Sequence, residues 1–231
     1  MTRILLVGYG RMGRLVESLA AEYGCEIAGI VDPAAGSDPI DSDRWAGAEV
    51  AIDFSTADAV PGNVEALARR GIDVVIGTTG WDGRRADVRQ RAADAGIGVV
   101  AAPNFSTGVV LFEAMVAHAS ALVAGQPEFG AFVHEAHHRA KKDAPSGTAL
   151  MLERAMRAAG YNREIDMAST RAGSIPGVHT VGFDGPAETI TLTHAARDRS
   201  AFARGALAAA QWVKGRRGWF SMQDVLGLNQ A

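Results

Sequence analysis

Cysteine is almost missing from this chain: Cys25 is the single one among 231 residues. One thiol cannot close an internal disulfide, so the fold must be held by its core, and a reducing compartment suits it. No charge of either sign dominates, and the formal net charge of −3 gives no reason to expect a nucleic acid or an anionic membrane as partner. No long apolar run opens the chain. Ile4-Leu5-Leu6-Val7 meets glycines at once and is too short for a signal peptide or a membrane span. Internal repeats and low-complexity segments are also lacking. These absences lead us to expect a cytoplasmic globular protein. Apolar residues make up 48% and charged ones 21%, and 231 residues can form one large domain or two small ones with ample core.

The apolar run Ile4–Val7 reads as a central parallel strand buried on both faces. Gly8-Tyr9-Gly10-Arg11-Met12-Gly13 follows it and leads into a helical pattern carried by Leu15, Val16, Leu19 and Ala20. A GxGxxG alone is weak evidence. Here it lies between strand and helix, and a second strand (Ile27–Val31) ends in Asp32, where a dinucleotide fold places the acid that binds ribose hydroxyls. The glycines would let the backbone approach a pyrophosphate, and the helix start would offer N–H donors. Further strands are expected at Val50–Phe54, Asp73–Ile76 and Gly98–Ala102. Between them we expect a helix capped by Ser55-Thr56 and running to about Arg70, and another over Ala86–Ala95. That alternation predicts an α/β, Rossmann-like, doubly wound parallel sheet. Its strand ends would gather Gly8–Gly13, Asp32, Gly77-Thr78-Thr79 and Ala102-Pro103-Asn104-Phe105 around a nucleotide.

A second concentration of chemistry lies at His134-Glu135-Ala136-His137-His138-Arg139-Ala140-Lys141-Lys142-Asp143-Ala144-Pro145-Ser146-Gly147-Thr148-Ala149, which holds three of the six histidines. The strand before it, Phe129–Glu135, is expected to end near His134, and Ser146 is a plausible N-cap for a following helix. A loop rich in proton carriers that closes on free backbone N–H groups suits an anionic substrate that must be held and protonated. Residue by residue, solvated loop and structural histidine are the commoner explanations. His137 and His138 are adjacent, no cysteine is near and HExxH spacing is absent, so no metal site is expected.

As a block, Glu-Ala-His-His-x-x-Lys-x-Asp-Ala-Pro-Ser-Gly-Thr-Ala resembles the signature of the dihydrodipicolinate reductase family. Gly-Arg-Met-Gly, Ile-Asp-Phe-Ser, Gly-Thr-Thr-Gly-Trp, Pro-Asn-Phe-Ser-Thr-Gly and the run from Arg171 through His179-Thr180-Val181 resemble it too, so the likeness spans nearly the whole chain. Many members have GxxGxxG where this chain has the shorter GxGxxG, and the stretch between Asp32 and Val50 is pared down. The resemblance implies reduction of 4-hydroxy-tetrahydrodipicolinate to tetrahydrodipicolinate by NADH or NADPH, on the diaminopimelate route to lysine. Lys141 would be the general acid and His137 its partner. His138, Ser146, Gly147 and Thr148 would bind substrate, Gly147 and Thr148 donating hydrogen bonds to a carboxylate. The residues alone leave the roles of Lys141 and Lys142 open to exchange. A nucleotide-sensing module without turnover and an amino-acid or sugar dehydrogenase of similar plan are the alternatives. Asp32, followed by Pro33-Ala34-Ala35 with no arginine, favours NADH.

Thr107 to about Ala124 reads as a long amphipathic helix bridging into a second domain. Strands there are expected at Ile165–Arg171, His179–Phe183 and Thr189–His194, unbroken by helices and so forming a mixed or antiparallel sheet. Residues 1–106 are expected to be the dinucleotide-binding domain. Residues 107–201 would form an inserted α+β domain for substrate binding and oligomerisation, and residues 202–231 would return as helices to the first. The resemblance also implies a homotetramer, and the two crossings suit a hinge that closes on ligand.

Overall fold

The structure, a computed structural model, describes residues 1–230. The chain divides into two compact units, Met1–Thr107 with Ser200–Ala231, and Gly108–Arg199. The first unit begins with β1 (Thr2–Val7), α1 (Arg11–Leu19), β2 (Cys25–Val31), β3 (Val50–Asp53), α2 (Val60–Arg69), β4 (Asp73–Ile76), α3 (Arg85–Ala95) and β5 (Gly98–Ala101). Ile4, Leu5, Leu6, Val50, Val74, Val75, Val99 and Val100 are fully buried, as expected of strands covered on both faces. One boundary differs from expectation. Ser55-Thr56 does not cap α2. The Ser55 hydroxyl is drawn back to the Asp53 carboxylate at 2.6 Å, and the helix starts only at Val60, with Pro61 in its first turn. The connection Pro33–Gly47 holds short 3-10 turns at Pro33–Ala35 and Asp43–Trp45, the second anchored by the buried Trp45.

The second unit comprises α4 (Thr107–Ala124, whose first residue belongs to the other unit), β6 (Gly130–His137), α5 (Gly147–Ala158), β7 (Ile165–Arg171), β8 (Val178–Asp184) and β9 (Thr189–Ala195). The sheet order is β7-β6-β8-β9, with β6 and β7 parallel and the other pairs antiparallel, the mixed sheet expected. By composition and length α4 could cross a membrane. Its Phe112, Val116 and Val123 pack instead with Ala149, Leu152 and Met156 of α5 over Val133, Val181 and Phe183. The strand containing the signature runs further than expected. Ladder pairs Ala136↔Val178 and His137↔Arg171 carry β6 to His137, which places that histidine on a strand and not in a loop.

The chain then re-enters the first unit as α6 (Ser200–Val213), β10 (Gly218–Phe220) and α7 (Met222–Val225). A capping box between Ser221 and Asp224 starts α7. Strand β10 escaped the sequence analysis, being three residues long behind the basic turn Lys214–Gly218. It completes a six-stranded parallel sheet of order β10-β5-β4-β3-β1-β2. The buried Asp73 carboxylate holds this return, accepting N–H bonds from Gly98 and Gly215 at 2.7 Å each. Burial pushes the pKa of Asp73 up. Helix α6 lies against α1 and strands β3, β4 and β5. The approach is so close that a Cβ on Gly205 would stand 1.7 Å from the Phe105 carbonyl oxygen. Gly205→Ala should therefore destabilise the protein by roughly 1–3 kcal/mol, as overpacking does. Gly62→Ala, in open space on α2, should be neutral or stabilising. Paired thermal melts check this, and equal Tm values for the two variants would contradict the packing described.

Candidate active site

The first unit forms a cavity of about 340 Å³ at the carboxyl ends of its strands, lined by Gly10, Arg11, Met12, Phe54, Ser55, Ala57, Gly77, Thr78 and Thr79. Beneath it the turn from β1 to α1 is fixed by contact. A Cβ on Gly13 would lie 2.3 Å from the Gly8 carbonyl oxygen, and one on Gly8, whose φ is +89°, would lie 2.5 Å from that of Phe54. Gly10 begins α1 without a side-chain cap, and no acidic residue lies in the first turn, so the helix start suits an anion. Asp32 stands beside it. Its carboxylate accepts the Tyr9 N–H at 2.7 Å and the Ala34 N–H at 2.9 Å, which orients both oxygens and leaves each a lone pair. The Tyr9 ring carries the Arg14 guanidinium 4.4 Å from its centroid.

The remaining expected cofactor residues divide. Ala102 and Pro103 line a smaller recess with Thr78, Thr79 and Trp81. The Asn104 side chain is turned onto the Ser106 N–H at 2.9 Å, and the Phe105 ring is buried edge-on to Phe54, their centroids 6.4 Å apart. These two shape the turn and do not line the larger cavity. Asp53, which sequence reasoning passed over, organises that cavity's floor. It is fully buried and accepts from Ser55, Asn63 and Thr78 at 2.6–3.0 Å.

In the second unit, alternation along β6 turns Ala131, Val133, Glu135 and His137 to the face covered by helices. That face is apolar at one end and polar at the other. Strand pairing sets Ser169, Glu135, His179 and His194 in one transverse row, with Arg171 beside His137 in the next. Glu135 has no exposed surface. Its carboxylate takes a forked bond from Arg171 at 2.6 and 2.9 Å, a short bond from His137 Nδ1, and the Ser146 N–H at 3.3 Å. Burial alone would raise the Glu135 pKa, but Arg171, Ser169 and His137 outweigh it and hold the carboxyl at about 2. Burial lowers the pKa of His137, against the pull of Glu135. His179 Nε2 meets the Ser146 hydroxyl at 3.1 Å, and its ring stands edge-on to His137 with centroids 5.1 Å apart. Burial, then the neighbouring His137, pushes His179 down to about 4.

Ser146 is the N-cap of α5, its hydroxyl accepting the Ala149 N–H at 3.2 Å, so Gly147 and Thr148 supply the helix's first N–H groups. The half-buried Lys141 points its ammonium at Asp143, 2.8 and 2.9 Å from the two carboxylate oxygens. The exposed Lys142 is a poorer candidate for chemistry. His138 opens the loop, its carbonyl accepting the Lys141 N–H at 3.0 Å. Ligand atoms of Glu135, His137 and His179 lie within 4.8 Å of one another, a spacing that could hold a metal ion. The Arg171 fork already puts a positive charge on both Glu135 oxygens, which makes this set a hydrogen-bonded network in which a cation would be repelled. Sequence reasoning missed Glu135, Arg171 and His179. Period-two spacing of Glu135 and His137 was the available signal.

Residues 2–105 match the family described as dihydrodipicolinate reductase, N-terminus, and residues 108–226 match its C-terminus. The chain belongs to the dihydrodipicolinate reductase family. The 4-hydroxy-tetrahydrodipicolinate reductase of Thiobacillus denitrificans is 40% identical over 267 aligned positions, covering 98% of each chain. That of Methanoregula boonei is 36% identical over 264 positions, covering 100% of each. The dipicolinate-bound dihydrodipicolinate reductase of Paenisporosarcina sp. TG-14 shares the fold with a TM-score of 0.82 at 21% identity, over 97% of this chain and 98% of that one. A myo-inositol dehydrogenase of Corynebacterium glutamicum follows at TM-score 0.59 and 17% identity, over 99% and 94%. Membership of this reductase family makes the chain an oxidoreductase, which sets aside the non-catalytic sensing module.

The buried row has a pH consequence. His179 is neutral when folded down to about 4 but titrates near 6.5 when unfolded, so the unfolded chain binds more protons between those values. Stability should fall as pH drops through that window, by on the order of 3 kcal/mol from this group. Glu135 should add a further loss as pH falls from 4.5 toward 2. Urea melts of His179→Gln should show a flatter profile from pH 6.5 to 4 than the parent. Parallel profiles would remove His179 as the cause.

Proposed function

We propose that the chain reduces 4-hydroxy-tetrahydrodipicolinate to tetrahydrodipicolinate, with loss of water, on the diaminopimelate route of lysine biosynthesis. The observation that carries this reading, in a member of this family, is the grouping of His137, Lys141 and the first turn of α5 at the polar end of one sheet face. The Asp143 carboxylate on the Lys141 ammonium supports it, because it occupies the kind of place a substrate carboxylate would take. Substrate would displace Asp143, pair with Lys141 and accept hydrogen bonds from Gly147 and Thr148, with His138 alongside. Lys141 then protonates the ring as negative charge develops on it.

A reduced nicotinamide nucleotide would supply the hydride. Gly8 to Gly13 and the start of α1 would hold its pyrophosphate, Asp32 its adenosine ribose, and Gly77, Thr78 and Thr79 its nicotinamide half. The close glycine contacts and the oriented Asp32 fit such a group. Asp32 favours the free diol of NADH over a 2′-phosphate, and Pro33, Ala34 and Ala35 offer no compensating cation. We read the assembly as a homotetramer. The sheet face opposite the helices carries exposed Thr189, Thr191 and Thr193 on the edge strand β9, a surface that symmetric association would cover. Light scattering that returned a stable 24.2 kDa monomer at micromolar concentration would reject this.

The deciding experiment is steady-state reduction of freshly generated 4-hydroxy-tetrahydrodipicolinate with each nucleotide in turn. NADH should give the higher kcat/KM. Lys141→Ala should lower kcat roughly 10²–10⁴-fold, the span of a general acid, with KM for NADH nearly unchanged. Lys142→Ala should change activity by no more than about threefold, as for an exposed side chain outside the chemistry. A Lys142→Ala variant as damaged as Lys141→Ala would break the assignment.

A further inference from the structure

The proposed chemistry uses His137 and Lys141 of the signature, but its first residue, Glu135, has no assigned part in it. Glu135 is wholly buried and takes four bonds from three separate segments: two from Arg171 on β7, one from Ser146 at the start of α5, and one from His137 on its own strand β6. A carboxylate that accepts from Nδ1 of a neutral imidazole fixes the proton on Nδ1 and leaves Nε2 with its lone pair. His137 Nε2 faces Gly177, and a Cβ there would stand 3.1 Å from it, so the bare glycine leaves room beside that nitrogen. The Arg171 fork fixes the plane of the carboxylate, and Arg171 is itself tied to the Asp143 carbonyl at 2.6 Å. The residue that orients the histidine is thus also joined to the loop bearing Lys141.

We infer that Glu135, held by Arg171, is a positioning residue that keeps His137 in its Nδ1–H tautomer and presents Nε2 as a hydrogen-bond acceptor for a donor group on the bound substrate. This rests on the reaction proposed above for its catalytic consequence, but the tautomer is a property of the resting protein. The groups facing His137 are Glu135 on its own strand, Arg171 on β7, His179 on β8 and Lys141 on the loop. Of these Glu135 alone is an anion. Its removal must therefore weaken the imidazolium, and any kinetic limb due to His137 must move to lower pH.

The test uses the full chain with 15N-labelled histidine, the His137 resonances being assigned by their loss in His137→Gln. The parent should show a protonated Nδ1 and an unprotonated Nε2. In Glu135→Gln both tautomers should be populated. In that variant kcat should fall roughly 10–100-fold, as for removal of partners that orient a reactive imidazole. KM for NADH should stay within about twofold and the His137 limb of kcat/KM should shift down in pH. Should Glu135→Gln fail to fold, Arg171→Lys keeps the buried positive charge but loses the fork. It should show the same changes in smaller measure. An Nε2–H tautomer in the parent overturns the inference, as does loss of kcat in either folded variant with the tautomer and pH limb unmoved. A parent chain that shows the Nδ1–H tautomer but turns over no 4-hydroxy-tetrahydrodipicolinate would overturn the proposed reaction and leave the tautomer assignment standing.

Discussion

A carboxylate and a guanidinium with little access to water sit at the polar end of the second unit's sheet, and each constrains the other. The side chain of Arg171 keeps 17% of its surface exposed and that of Glu135 keeps none. Removing one member of such a pair leaves an uncompensated buried charge, typically a loss of about 3–5 kcal/mol. The pair joins β6 to β7, and its further bonds reach the start of α5 and the loop that carries Lys141. The apolar rows of Val133, Val181 and Phe183 under α4 and α5 hold the sheet, while this ion pair fixes its polar end. Apolar packing and polar bonding are thus segregated along the same sheet.

The first unit solves a different problem by subtraction. Its glycine turn depends on atoms that are missing, since Gly13 and Gly8 bring backbone to backbone at distances no side chain tolerates. What the turn gains is an uncapped helix start next to an aspartate whose two oxygens are already aimed by main-chain donors. The Asp53 network then keeps Ser55 and Thr78 in fixed orientation around the cavity, so the cavity's polar wall comes from buried bonds within the chain.

Much of this was legible in the sequence, because the first unit's signals are local. An apolar tetrad followed by GxGxxG and an acid at Asp32 names strand, turn and ligand class within about thirty residues. The long helix Thr107–Ala124 and the strand Ile165–Arg171 carry their own periodicity and have the bounds expected from it. What escaped depended on partners distant in sequence. Strand β10 exists because β5 offers it an edge, and three residues carry no pattern of their own. Ser55 looked like a helix cap because Asp53, two residues back, was not seen as a competing acceptor. Glu135 and Arg171 lie 36 positions apart. Only the register of β6 on β7 makes them neighbours, and the same register extends β6 far enough to make His137 a strand residue. Phe105 and Asn104 were placed with the cofactor by their position after β5, yet their side chains turn inward to hold the loop.

The return of the chain after residue 199 orders the protein's birth. During synthesis the five strands β1 to β5 emerge well before α6, which lies against β3, β4 and β5, and before β10, which closes the β5 edge. Ala203, Ala206, Leu207 and Ala210 of that helix are fully buried in the finished unit, so the surface they cover stays open to water until then. The unit encoded by Gly108–Arg199 is continuous and can complete its own core while the first still waits. The half of the molecule that starts first on the ribosome therefore finishes second. Throughout that interval its open strand edge and bare apolar face are the parts most exposed to wrong pairing.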